Sequence, residues 1–385
     1  MSLSPVRHPH GRGSCLFRNL RLWGVVLGLW VSIAQAQTES VKVFYGGFAF
    51  AGRADEIGRN YPFAASLGEP SQDAAAFFES VARDFFRRRT GKTQAFALSF
   101  DLVRPEDSPL VMVLALSDEK VLVENLGDFH KLVVQLGFDL LVLDFREMTV
   151  VSSLPISLDL IDAGPSEYSH ADITKRLREM VAGDASQLLP VLEAKLSTMR
   201  IRTAQQATLQ IHQVTVGEKA LPFLPVEYRQ MPGAYGEACA RQLGGLLTSE
   251  AKIALLPYAK DGVNGKMALR FADASVLQFR IPAPTFALDL DIKGFKKVLD
   301  KSTPAEALWL YGAFLGVRVY EPEFQRVYFD APVKYAVSKV IPASQKTTNE
   351  FPVVSEALKG AFLSTIEQMR KDKTTYETVL KKCAL

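Results

Sequence analysis

Three consecutive segments decide the reading of this chain: the run Phe138-Asp-Leu-Leu-Val-Leu-Asp-Phe145, the charged turn Arg146-Glu147-Met148, and the run Thr149-Val-Val-Ser-Ser-Leu-Pro-Ile-Ser-Leu-Asp-Leu-Ile161. Two β-rich runs with partial apolar alternation, joined across a short turn, predict paired antiparallel strands. The same design returns downstream as Leu308 to Tyr320, the turn Glu321-Pro322-Glu323, and Arg326 to Ile341. Each copy is followed by a polar loop and an amphipathic helix, expected over Ala171 to Val181 and Val354 to Arg370.

Working outward, the order of elements repeats as well. An opening strand (Val41 to Phe50; Thr208 to Val216) precedes a helix (Ser71 to Arg89, with Ser71 as N-cap; Gly236 to Thr248) and a further strand (Gln94 to Val103; Lys252 to Tyr258). In the first copy a strand over Leu110 to Leu116 follows, then a helix over about Asp128 to Leu136, where Phe129, Leu132, Val133 and Leu136 share one helical face. The second copy carries an insertion with β-rich runs at Ser275 to Ile281 and Thr285 to Ile292. The expected fold is α/β (α+β): two tandem similar domains, each a mixed sheet with helices packed on it and a long β-hairpin. The expected boundaries are a signal peptide over 1–36, a first domain over 37–184, a linker helix over 185–206 and a second domain over 207–385, the two domains arising by internal duplication.

The first 36 residues differ in kind. Arg7, Arg12, Arg18 and Arg21 precede the acid-free apolar run Leu22 to Val31, which ends on Ala34-Gln35-Ala36. A basic region, an apolar core and a small-x-small site are the pattern of a secretory leader, with cleavage expected between Ala36 and Gln37. The apolar run is shorter than the roughly 20 residues a bilayer core requires. No cysteine sits just after the site, so nothing there suggests a lipid anchor, and Cys383-Ala-Leu385 is one residue short of a prenylation box. Removing four of the 45 basic residues leaves 41 against 42 acidic ones. The apparent basicity belongs to the leader, and no global positive field remains to draw in nucleic acid or an anionic membrane surface. The expectation is a periplasmic or secreted protein.

Candidate chemistry is sparse. The string Arg89-Thr-Gly-Lys-Thr93 is similar to the end of a phosphate-binding loop, but Phe86 stands where the loop needs glycine. Gly91 reads as a helix stop and Lys92 as a neutraliser of the helix end, as do Arg87 and Arg88. His130, His170 and His212 each stand apart from other metal-ligating residues. No Gly-x-Ser-x-Gly elbow is present. Ser117, Asp118 and Glu119, placed just past a strand end, are the polar candidates, weighed against a solvated turn. Asp289 and Asp291 share one strand face and read as its water-facing edge. Cys239 and Cys383 could pair in an oxidising compartment or stand as free thiols. No residue set points to a cofactor or a metal.

The order strand, helix, strand, helix, strand, strand, helix, with Gly137 to Phe145 and a strand ending Leu158-Asp-Leu-Ile-Asp-Ala163, resembles the small periplasmic α/β modules of the curli-secretion lipoprotein family and of the amino-terminal domain of the Tol-Pal translocation protein. Lys252-Ile-Ala-Leu-Leu-Pro-Tyr258 is similar to the opening strand of those modules, although here it follows the first helix. The resemblance implies an assembly or binding role in the cell envelope, with an envelope protein or other envelope component as partner and no catalysis. It transfers no functional residue. The alternative is a secreted enzyme or small-ligand receptor with its site in the cleft between the domains. A third reading is a structural partner held by aromatic residues around Trp309, Tyr311, Tyr320 and Tyr328.

Overall fold

In a computed structural model, residues 41–68, 74–89, 96–100, 110–125, 128–202, 206–258, 265–343 and 349–384 are described. The leader, the expected N-cap Ser71, and Gly91 and Lys92 lie outside them.

Phe78, Ala82, Phe85 and Phe86 recur at helical spacing along α1 (Ala74–Arg87) and are all buried. They lie on β1 (Val41–Ala51), whose Phe48 ring stacks on Phe78 at a centroid distance of 4.6 Å. Tight backbone approach explains the glycine pair in β1. A Cβ on Gly46 would sit 2.3 Å from Val111 Cγ1, and Gly47 takes φ +99° at a register shift in the ladder. The bulge presents the Phe48 N–H to Glu79 Oε2 at 2.6 Å, tying strand to helix.

β1 pairs in parallel with β2 (Phe96–Ser99) on one side and β3 (Leu110–Asn125) on the other. β3, β4 (His130–Asp144) and β5 (Thr149–Gly164) then form an antiparallel meander. The helix α2 (His170–Val181) follows, opened by a capping box between Ser169 and Asp172. α3 (Leu188–Thr198) comes next, and its Leu188, Leu192 and Leu196 enter the first hydrophobic core.

The second half repeats this order. β6 (Leu209–Lys219) pairs in parallel with the two-residue β7 (Leu255–Leu256) and with β10 (Phe286–Ser302). Between β6 and β7 lie α4 (Val226–Gln230) and α5 (Pro232–Glu250). β10, β11 (Glu306–Glu321) and β12 (Arg326–Pro342) form the second antiparallel meander, and α6 (Phe351–Lys371) packs on it. The strand orders β2-β1-β3-β4-β5 and β7-β6-β10-β11-β12 therefore match, each around its own apolar core. The fold is of the expected α/β class, with two similar halves and both expected hairpins; the halves do not carry separate sheets, because β5 meets β7 at Ser153↔Leu255 and one twelve-stranded sheet runs through both. The insertion forms a hairpin of β8 (Lys266–Phe271) and β9 (Val276–Arg280). β8 pairs with β1, and β9 meets β5 at Thr149, so β1, β3, β4, β5, β9 and β8 close into a ring. A third apolar cluster, including Leu141, Leu143, Leu269 and Phe279, fills it.

Two expectations require correction. Residues 130–136 are strand: Leu132, Val134, Leu136 and Phe138 alternate into the core, and the ladder from Asn125↔His130 onward fixes them. Phe129, which completed the helical pattern, is 57% exposed. Ser117, Asp118 and Glu119 do not follow a strand end but lie within β3, at a register shift between Leu116 and Asp118.

Candidate junction site

Small residues let α5 settle on the seam between the halves, against β5 and β6. A Cβ on Gly244 would stand 3.1 Å from Pro155 Cγ and 3.4 Å from Leu255 Cδ1, one residue from each half. α5 thereby carries Arg241 over the strands of the first half. Its Nη1 donates to Ser117 Oγ at 2.7 Å and lies 3.5 Å from Asp139 Oδ2, while Nη2 lies 3.8 Å from Asp118 Oδ2. Gly137 leaves room for the guanidinium, since a Cβ there would fall 2.4 Å from Arg241 Nε.

Asp139 is buried, and its two oxygens accept from Ser117 Oγ at 2.6 Å and Ser153 Oγ at 2.7 Å. Lys120 Nζ reaches Asp118 Oδ2 at 3.2 Å and donates to Ala234 O at 2.8 Å. Two carboxylates thus meet two cations in a mostly buried seam, where such pairs are retained only with good geometry. The bulge in β3 makes this possible: the extra residue turns Ser117 and Asp118 toward α5 and sends Glu119 elsewhere. Glu119 accepts from the Phe63 N–H at 2.9 Å and the Ala64 N–H at 2.6 Å. Burial pushes its carboxyl up to about 7, against the pull of those two N–H bonds, and the neighbouring Asp118 adds to the rise. The three sequence candidates therefore split between two structural tasks.

Two cavities flank Arg241. One of about 160 Å³ is lined by Ser117, Asp139, Ser153, Glu237 and Tyr258. The other, of about 260 Å³, is mainly apolar and runs between the first sheet and the second half's helices, past Ile161, Tyr228, Tyr235 and Phe351. At its polar end the Tyr228 hydroxyl donates to Gln135 Oε1, and Gln135 Nε2 donates to Asp159 Oδ1 at 2.8 Å.

A second cluster joins residues the sequence left separate. The parallel β6–β10 pairing brings His212 Nδ1 to 3.2 Å from Asp289 Oδ1 and 3.3 Å from the Tyr320 hydroxyl. Thr215 Oγ1 donates to Asp291 Oδ1 at 2.8 Å on the same strands. Only the strand order could have revealed this, and His212 and Asp289 are 77 residues apart. His170 stacks on Phe63 at 4.8 Å, and His130 begins β4. Among the described residues no group of three or more His, Cys, Asp or Glu side chains could hold a metal ion. Cys239 and Cys383 are free buried thiols, with no disulfide between them. Burial pushes both up to about 12. Of the aromatic residues around the second hairpin, Tyr311 is fully buried and Tyr320 is 8% exposed.

No protein-family model and no curated protein matches the chain. Among solved structures, similarity extends to a neuraminyllactose-binding hemagglutinin homolog from Helicobacter pylori, with 13% identity, TM-score 0.25, and coverage of 48% of this chain and 97% of that one. A hypothetical protein from Chlamydia trachomatis gives 13% identity and TM-score 0.26, covering 42% of this chain and 96% of that one. A minor lipoprotein from Acinetobacter baumannii gives 10% identity and TM-score 0.22, covering 45% and 95%. At these TM-scores the likeness assigns neither family nor activity.

Proposed function

We infer that the chain is an exported protein of a bacterial-type cell envelope that binds or assembles with another envelope component and performs no catalysis. Arg241 carries this reading. Most of the convergent polar groups of the junction are spent on one another, with Arg241 between Ser117, Asp118 and Asp139. Such a cluster holds two halves together, with the Ser117 and Ser153 hydroxyls both donated to Asp139. The amino-terminal pattern of four arginines, an apolar run and Ala34-Gln35-Ala36 supports export with cleavage before Gln37. Among the described residues no helix is long and apolar enough to cross a membrane. The matching strand orders support descent of 37–184 and 207–385 from one duplicated module, with 185–206 between them.

Fractionation of a Gram-negative host expressing the full chain tests the reading. The protein is expected in the periplasmic or envelope fraction with its amino terminus at Gln37. Recovery there of a form beginning at Met1 would remove the export argument. The cavity of about 260 Å³ supports a second reading, a receptor for a small apolar ligand held between the halves. Saturable uptake of an apolar fluorescent probe, lost on Ser157→Trp at the cavity wall, would favour the receptor over the assembly role.

A further inference from the structure

The sheet ends at β12, and among the described residues no strand pairs with its outer side. This edge is long, 17 residues from Arg326 to Pro342, and its prolines reveal which way its backbone groups point. Pro332 pairs with Gly316 although it has no N–H, and Pro342 pairs likewise with Glu306. Each therefore stands at a position whose backbone groups face away from β11. The register is unbroken from Phe329 to Pro342, so Lys334, Ala336, Ser338 and Val340 share that orientation and present N–H and C=O outward. All four are exposed. Nearer the start of the strand the C-terminal segment takes over, since Thr375 Oγ1 donates to the Tyr328 carbonyl at 2.9 Å.

Proline and lysine guard bare edges, and both are present here. Their spacing also makes the edge complementary to itself. Pro332 and Pro342 are equidistant from Val337. A second copy laid antiparallel about a two-fold axis at Val337 sets Pro332 against Pro342 at both ends, where neither has a donor to lose. Between the prolines Lys334 faces Val340 and Ala336 faces Ser338, each pair exchanging both N–H···O bonds. Moving the axis by one residue puts a proline opposite a donor, Pro332 against Val340 or Pro342 against Lys334. The same register keeps like charges apart, because the two lysines, Lys334 and Lys339, meet Val340 and Tyr335.

The side of the edge that carries α6 adds to the match. Tyr335, 44% exposed, lies against Gly360, where a Cβ would stand 2.2 Å from its Cε1. Glu356 and Leu363, one turn to either side of Gly360 on the same helix face, are both exposed. Tyr335, Val337 and Lys339 share this side of the strand. The axis therefore sets Val337 on its twin and brings Lys339 of the second copy to Tyr335, toward the Glu356 carboxylate. We propose that β12 is the interface between two copies of the chain, joined edge to edge over 333–341 about a two-fold axis at Val337, so that one sheet runs through the dimer. The occupant is a second copy because the strand complements itself in hydrogen bonding, in the placement of its prolines and in charge. The interface uses no residue of the junction around Arg241 and holds whether or not the assembly reading does.

Sedimentation equilibrium of the full chain over a range of concentrations tests it, with the parent expected to reach twice the monomer mass. Ser338→Pro removes an outward donor and leaves the ladder to β11 intact, so it should raise the dimer dissociation constant at least about tenfold. Ser338→Thr keeps the donor and should dimerise like the parent. Lys339→Glu should weaken the dimer, and Lys339→Glu with Glu356→Lys should recover it. Far-UV circular dichroism checks that each variant is folded. Cross-linking fixes the register. In a non-hydrogen-bonded antiparallel pair the Cα atoms lie about 4.5 Å apart, within reach of a disulfide, so Val337→Cys should link two copies under mild oxidation. Lys334→Cys, whose twin would stand about 20 Å away, should not. A parent that stays monomeric at every concentration, a Ser338→Pro variant that dimerises as tightly as the parent, or a link through Lys334→Cys with none through Val337→Cys would overturn the proposal.

Discussion

Arg241 on α5 donates to Ser117 on β3 at 2.7 Å, across the seam between two halves that share one sheet but have separate apolar cores. The guanidinium side chain is 13% exposed and the Asp139 side chain 9%. Arg241→Ala leaves Asp139 in a buried seam without its cation and Asp118 with Lys120 alone, a loss of about 3 kcal/mol in unfolding free energy. Arg241→Lys keeps the charge but not the fork, and recovers part of it. Urea denaturation measures both. A loss below about 0.5 kcal/mol for Arg241→Ala would mean the contact is incidental.

Gly137→Ala attacks the same contact from the other side. The new Cβ would lie 2.4 Å from Arg241 Nε and 2.7 Å from its Cζ, so the arginine must leave its place. The expected cost is about 1–3 kcal/mol. Because both changes remove one interaction, the double variant Gly137→Ala/Arg241→Ala should be less destabilised than the sum of the singles. Additive losses would show that the glycine serves something other than the guanidinium.

Glu119 makes stability depend on pH. Its carboxyl titrates near 7 in the folded chain against an ordinary value of 4.5, so between these values the folded state binds more protons than the unfolded one. Stability is then full below pH 4.5, falls as pH rises, and levels off above 7, with a total change of about 3 kcal/mol at most. Glu119→Gln keeps an oxygen for one of the Phe63 and Ala64 N–H groups and removes the titration. The difference between parent and variant should carry this slope. Parallel stability curves across that window would exclude Glu119 as its source.

The hairpins were legible because each needs only local signals: β-rich runs, partial alternation, and the turns at Arg146 to Met148 and Glu321 to Glu323. The matching order of the halves was legible for the same reason. Residues 130–136 misled because Leu132 and Leu136 satisfy two periodicities at once, and the strand period prevails only through pairing with β3. Ser117 to Glu119 were visible as polar residues, but their surroundings depend on a one-residue bulge that no local pattern announces. Arg241 carried no signal at all. Its partners come from β3 and β4, more than a hundred residues earlier in the chain.

The two cysteines differ in setting but agree in chemistry. Cys239 lies inside α5, while Cys383 gives its carbonyl to the Ala254 N–H at 2.7 Å at the other end of the chain. Burial raises both from 9.0 to about 12, which cuts the thiolate fraction at neutral pH about a thousandfold. Iodoacetamide should therefore leave the folded chain unmodified and alkylate both sites once denaturant exposes them. Mass measurement without reductant checks the free state directly. A chain lighter by one pair of hydrogens, restored by dithiothreitol, would show that the thiols do pair and that Cys239 and Cys383 approach each other in solution.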